Sequence, residues 1–252
     1  MKGVILAAGI GSRLRPLTDT VPKCLLDVGG KTILGRALEG LSANGIVDVV
    51  IVTGYREQQI RDFVETRYPH LSVKFLWNEH FASTNNSYSL WMTRNEFRDT
   101  EMLLMDSDIV FDPLVIGLLT GSGHANCLAI ASGVSLGDEE IKVRVDETGA
   151  IAEISKEVSP VKVLGESIGI EKFDSMFLKH LFPVLDRMIR QEGKVNLFYE
   201  VAFQEVIDGG QRLFPVDVGG LHSLEIDTAE DLARARSLDE GHRFSRASNP
   251  AP

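Results

Sequence analysis

The chain has 252 residues, 44% hydrophobic and 25% charged, enough for one large α/β core, or a core with a small appended lobe, without covalent staples. Its formal net charge of −10 argues against a duplex nucleic-acid binder, which presents a basic surface. A nucleotide ligand is not excluded, because a few local cations and a metal ion reverse the sign inside one cleft.

From the N-terminus, residues 2–7 form an apolar run that stops before Gly9, which suits a buried strand rather than a secretory leader. No stretch approaches the roughly 20 apolar residues of a membrane-spanning helix. A soluble, cytoplasmic protein with no membrane partner is expected. A Gly/Pro/Thr-rich loop lasts to about Gly30. Then Ile33, Leu34, Ala37, Leu38 and Leu41 recur at helical spacing, with Asn44-Gly45 as the stop. Val47–Thr53 predicts a second buried strand, Gln58–Tyr68 a helix, Val73–Trp77 a third strand, Ser87–Phe97 a helix and Met102–Met105 a fourth strand. Such alternation indicates βαβ units and a parallel sheet, whose ligands bind outside the strand carboxyl ends. The loops 8–30, 78–86 and 106–112 all leave those ends and should share one site.

The second half changes character. Cys127–Val134, Ile141–Asp146, Ile151–Ser155 and Ser167–Phe173 predict shorter strands with hairpin links such as Asp146-Glu147-Thr148-Gly149. Helices resume at Ser175–Arg190, Leu197–Ile207 and Ala229–Leu238, and residues from His242 onward read as a disordered polar tail. Cys24 and Cys127 lack disulfide or metal-ligand spacing and read as reduced thiols.

The strongest chemical signal is the strand-to-loop string Leu6-Ala7-Ala8-Gly9-Ile10-Gly11-Ser12-Arg13-Leu14, followed by Pro22-Lys23. Gly9 and Gly11 allow backbone N–H groups to approach phosphate oxygens, and Ala7 and Ala8 leave space for a base or ribose. Arg13 and Lys23 can neutralise a triphosphate, one as a planar fork and the other as a point charge. The loop is neither a P-loop, which needs Gly-Lys-Ser/Thr, nor a dinucleotide fingerprint, because Leu14 stands where its third glycine belongs. Downstream, Asp106-Ser107-Asp108 ends a predicted strand and Glu225-Ile226-Asp227 precedes a predicted helix, both suited to a hard cation over phosphates.

This string resembles the signature of the sugar-phosphate nucleotidyltransferase superfamily, and the resemblance runs to about Arg236. It implies a Rossmann-like three-layer α/β sandwich with a mostly parallel mixed sheet and a small acceptor-side β lobe. One catalytic domain over 1–240 is implied, with a nucleotide-binding half at 1–125 and an acceptor-binding half at 126–240. It also implies a nucleoside triphosphate donor, Mg²⁺ and release of pyrophosphate. Asp108 and Asp227 match the metal-binding aspartates, while Asp106 takes a position where many hexose-phosphate members differ. Leu6, Ala7, Ala8, Gly9, Gly11 and Ser12 fall on the nucleotide side.

Asn85-Asn86-Ser87-Tyr88-Ser89-Leu90 is similar to the cytidylyltransferases that activate phosphocholine, aminoethylphosphonate and related head groups. Asn85, Ser87 and Ser89 offer the donors and acceptors that a pyrimidine edge needs. Gly165–Ile170, with Glu166, and Asn196–Glu200 resemble acceptor-side motifs of that branch. There, Tyr199 and Glu200 suit a cationic amine by ring face and carboxylate. Lys156 looks like the lysine that meets the acceptor's phosphate, and Lys142 and Arg144 are further acceptor-side candidates. An acceptor oxygen that is already anionic needs no general base, so the six histidines are assigned no role.

Three readings remain open at this point. One is a CTP-dependent enzyme acting on a small phosphate or phosphonate. Another is a hexose-1-phosphate enzyme using UTP, GTP or dTTP. The third is a silent nucleotide-binding relative. A homodimer is compatible with each.

Overall fold

The computed structural model describes residues 1–133, 136–159 and 163–241; Val134 and the expected polar tail from His242 onward lie outside them. β1 (Lys2–Ala7) is buried on both faces, with Val4 and Leu6 in one apolar cluster and Ile5 and Ala7 in another. That two-sided burial explains a continuous apolar run in place of alternation. β2 (Asp27–Val28) and β3 (Lys31–Thr32) make a small antiparallel ribbon. α1 (Ile33–Ala43) starts at Thr32, whose hydroxyl accepts the Gly35 N–H at 3.0 Å and so caps the helix. β4 (Asp48–Thr53), α2 (Glu57–Arg67) and β5 (Ser72–Trp77) complete the first parallel units.

α3 (Asn86–Met92) is shorter than the helix expected over 87–97. The Thr93 hydroxyl donates to the Leu90 carbonyl at 2.7 Å, and the chain tightens into a turn at Thr93–Glu96. β6 (Met102–Asp106) pairs in parallel with β1, and β7 (Ile109–Phe111) and α4 (Leu114–Gly121) follow. β8 (Cys127–Ala131), β9 (Lys142–Val145), β10 (Ile151–Ser155) and β11 (Gly165–Phe173) supply the strands expected in the second half. The Asp146–Gly149 link is a turn whose Asp146 carboxylate accepts from Thr148 and Ala150.

α5 (Ser175–Asp186) widens into a π-type turn at Arg187–Gln191. α6 (Glu200–Asp208) starts later than expected. The stretch before it bonds to the start of α3 instead: Asn85 N–H donates to Val195 O at 3.0 Å and Tyr199 N–H to Asn86 Oδ1 at 2.9 Å. β12 (Phe214–Asp217), β13 (Ser223–Glu225) and α7 (Ala229–Gly241) close the chain.

The main sheet is mixed, ordered β10-β9-β11-β6-β1-β4-β5, with β8 also on β11 and β12 on β8. Pairing is parallel from β6 to β5 and between β8 and β12, and antiparallel around β11. One apolar cluster packs α3, α5 and α6 on one face, and a second packs α1, α2 and α4 on the other, giving three layers. A third cluster joins Leu14, Leu26 and Val28 to Leu232 and Ala235, so α7 seats beneath the glycine-rich loop.

Candidate active site

The loops after β1, β5 and β6 open into one cleft of about 810 Å³, closed on the other side by β11, the residues before α6 and the segment after β13. The expected convergence at strand carboxyl ends therefore holds. β7 and β13 pair antiparallel, with Glu225 opposite Ile109, and Ile226 N–H donates to Asp108 O at 2.9 Å. This ribbon brings together two acidic segments more than a hundred positions apart. The Asp231 carboxylate accepts the Asp227 and Thr228 N–H groups at 3.2 and 2.8 Å, which caps α7 and holds Asp227 in place.

Asp108, Glu225 and Asp227 each place a carboxylate oxygen within 4.8 Å of the others. The Lys23 ammonium lies among them, donating to Asp108 Oδ2 at 2.8 Å and Asp227 Oδ1 at 2.6 Å, and Arg13 donates to Asp227 Oδ2 at 2.5 Å. Burial works against the charge on Lys23, but the two aspartates outweigh it and its pKa is raised. Burial likewise works against the Asp227 carboxylate, and Lys23 and Arg13 still hold it below the usual range. Glu225 is exposed as a residue, but desolvation of its carboxylate in the cluster, and then the charges of Asp108 and Asp227, push it up to about 7. Three hard oxygen donors this close together, two of them already around a positive charge, fit a divalent cation by their chemistry.

On the nucleotide side, Leu6, Ala7, Ala8 and Gly9 border the cleft with Asn85 and Ser89. Gly11, Ser12 and Ser87 do not. Gly11 has φ +65, and its carbonyl accepts the Thr18 hydroxyl at 2.8 Å, so it shapes the turn that presents Arg13. Ser87 is fully buried behind the wall. Asp106 forms part of the floor. Burial first, then the charges of Asp108 and Glu200, raise its pKa well above the carboxylate range, and the Tyr199 hydroxyl donates to it at 2.8 Å. Gly169, at φ +72, lets β11 pass close by, since a Cβ there would lie 3.1 Å from Asp106 Oδ2.

The acceptor side needs three corrections. Tyr199 is fully buried, so its ring is not offered to a ligand; Phe198, 41% exposed, borders the cleft in its place. Arg144 pairs with Glu153 at 2.6 Å and lies outside the cleft lining. Lys142 is buried, and its ammonium donates to the Lys156 carbonyl at 2.8 Å, so it braces the strand end rather than facing a substrate. Lys156, Glu166 and Glu200 do border the cleft, with Lys156 paired to Glu139 at 2.9 Å and 4.7 Å above the Phe198 ring.

Asn78, Asn86 and Phe198 are cleft residues that sequence reasoning left unassigned, and Glu225 was noted only as part of the acidic segment around Asp227. Glu225 had a usable signal, since it sits two positions before Asp227 in an extended segment and so faces the same side.

Glu200 is buried with Oε2 unpartnered, and burial pushes its pKa up to about 7. A carboxyl raised on folding stabilises fully below its unfolded pKa, and that contribution fades as pH rises through the folded value. Glu200→Gln is therefore expected to melt higher than the parent at pH 8 and to lose the advantage near pH 5. Equal pH dependence of melting in both proteins would contradict the assignment.

A three-layer α/β core opens at its strand carboxyl ends onto cations facing a carboxylate cluster, an architecture of Rossmann-like type. Residues 2–119 match the family model described as Nucleotidyl transferase, so the resemblance in the glycine-rich loop holds. The CMP-5'-(3-aminopropyl)phosphonate synthase of Streptomyces rubellomurinus is 26% identical over 242 residues, 93% of this chain and 38% of that protein. The choline-phosphate cytidylyltransferase of Streptococcus pneumoniae is 36% identical over 107 residues, 42% of this chain and 45% of that one. The chain thus spans less than half the length of these two relatives. The solved CTP:phosphocholine cytidylyltransferase of Streptococcus pneumoniae shares the fold, with a TM-score of 0.76 at 22% identity over 94% of this chain and 98% of that one. Among the described residues, no helix is long and apolar enough to cross a membrane.

Proposed function

We propose that this chain transfers CMP from CTP to a small phosphate or phosphonate bearing a cationic head group, with release of pyrophosphate. The observation that carries the reading is the meeting of Arg13, Lys23, Asp108 and Asp227 in one cleft beside the Asn85–Ser89 wall. Both relatives named above make or use cytidylylated amine-bearing compounds by their names. Glu139, Glu140, Glu166 and Glu200 border the same cleft as Lys156, which pairs with Glu139, and this excess of carboxylates favours an amine over a further carboxylate on the substrate. Phe198 supplies the ring face once expected of Tyr199. On this reading residues 1–125 hold the nucleotide and 126–240 the acceptor.

Asp108, Glu225 and Asp227 would hold Mg²⁺, which when bound supplies positive charge to the phosphates of the nucleotide. The acceptor's anionic oxygen attacks the α-phosphorus, and the bond from that phosphorus to the bridging oxygen of the pyrophosphate breaks. No proton need move. Lys156 holds the acceptor's phosphoryl end, and Arg13 and Lys23 stabilise charge that gathers on the leaving pyrophosphate.

Pyrophosphate release can be followed with CTP, UTP, GTP and dTTP, each against aminoethylphosphonate, phosphocholine and glucose 1-phosphate, with Mg²⁺ or with chelator. CTP with an amine-bearing acceptor, dependent on Mg²⁺, is the expected productive combination. Preference for UTP or dTTP with the sugar phosphate would overturn the reading, as would tight nucleotide binding without turnover.

A further inference from the structure

Asn78 is the first residue after β5, is 1% exposed and forms part of the cleft wall. Its position is anchored by its own N–H, which donates to Thr53 O at 2.8 Å. The orientation of its amide is set by chemistry: Oδ1 accepts the His80 backbone N–H at 3.0 Å, and a backbone N–H can only donate. Nδ2 is therefore turned to the two hydroxyls, Thr84 Oγ1 at 3.0 Å and Ser89 Oγ at 3.3 Å. Thr84 passes its own proton to His80 O at 3.0 Å and is satisfied. Ser89 differs. It is 4% exposed, accepts from Asn78, and no carbonyl among the described residues takes its proton. Asn78 occupies one of the two lone pairs of Ser89, and the Ser89 proton has no acceptor among the described residues, so what it offers the cleft first is an O–H donor.

We infer that Asn78 is a positioning residue that locks Ser89 as a donor to the pyrimidine edge, and that this pair selects cytosine over uracil. The inference rests on the CMP-transfer reading above. At ring position N3 cytosine carries an acceptor and uracil a donor. A serine free to rotate serves either base by turning its proton, whereas one held by a buried amide can meet a uracil N3–H only by leaving its own proton without an acceptor, so cytosine is favoured. Rejection then comes from two donors set face to face, one of them on a side chain only 4% exposed.

Asn78→Asp tests the polarity directly. The variant is isosteric and keeps an oxygen for the His80 N–H, but its second oxygen takes the Ser89 proton and leaves Ser89 lone pairs facing the base. The ratio of kcat/KM for CTP to that for UTP should fall at least tenfold, with UTP use rising in absolute terms. Loss of packing alone would lower both substrates together. A second arm does not depend on that variant folding. Replacing the N3 acceptor by C–H, with 3-deaza-CTP as substrate, should cost the parent enzyme about tenfold, the scale of one hydrogen bond, and should cost Ser89→Ala nothing further. An unchanged CTP to UTP ratio in Asn78→Asp, or a full analogue penalty in Ser89→Ala, overturns the inference while leaving CMP transfer intact. A parent enzyme that ignores CTP would instead sink the CMP-transfer reading, and this one with it.

Discussion

Asp108→Ala and Asp227→Ala, purified and folded, should each turn over about 10²–10³ times more slowly than the parent, the usual cost of one electrostatic contributor at a reacting phosphoryl group. Each removes one of three oxygens that lie within 4.8 Å of one another. Little stability should be lost with Asp108, because Lys23 keeps its 2.6 Å pair with Asp227, and in the reciprocal variant it keeps Asp108 at 2.8 Å. The acidic ribbon itself is held by backbone bonds between β7 and β13, which neither substitution touches. Circular dichroism and melting close to the parent should thus accompany a rate loss and a higher Mg²⁺ requirement. Full activity at ordinary Mg²⁺ in either variant would remove the carboxylate cluster from the mechanism.

Lys23→Ala should show two effects of opposite sign. Its ammonium, 12% exposed, occupies the space between Asp108 and Asp227 that a divalent ion would share. Removing it leaves three carboxylates with less positive charge to offset them, so Mg²⁺ alone should raise the melting temperature more in the variant than in the parent. Turnover should still fall about 10²–10³-fold, because a metal cannot replace a cation that also has to meet the phosphates of the nucleotide. A variant whose melting responds to Mg²⁺ no more than the parent's would show that Lys23 does not stand at the metal position. The measurement needs no activity, so it separates the geometry of the site from the identity of its substrate.

Local features of the chain were legible early because local physics made them. The strands 2–7, 48–53 and 102–106 are continuous apolar runs since both faces are buried, and α1 shows its buried stripe from Ile33 to Leu41. The turn at Asp146–Gly149 and the cap at Thr32 are likewise set within a few residues of themselves. Short elements such as β7, β12 and β13 escaped notice, because three or four residues carry too little periodicity to stand out from a loop. The late start of α6 escaped for another reason: the preceding residues spend their hydrogen bonds on the start of α3, a partner some 110 positions away.

The same division runs through the site. That Arg13, Lys23, Asp108 and Asp227 share one cleft was readable because the glycine-rich loop, its cations and the two acidic segments point to one chemistry together, although each aspartate alone could serve as a helix cap. Tyr199 and Phe198 were not separable, since adjacent aromatics look alike until packing sends one hydroxyl to Asp106 and leaves the other ring at the cleft. Arg144 and Lys142 likewise carried the right charge but are claimed by Glu153 and a backbone carbonyl.

By itself, the order of residues determined the alternating α/β core, the glycine-rich loop and the kinds of charge available for phosphate chemistry. Only the tertiary structure decided which charges face one another. The β7–β13 ribbon seats Glu225 in the carboxylate cluster, and the chain folds the amide of Asn78 back onto the hydroxyl of Ser89. The physical reason is one of range. Burial and turn chemistry are settled among near neighbours, whereas a carboxylate's partner, or a hydroxyl's direction, is chosen by whichever strand the fold lays beside it.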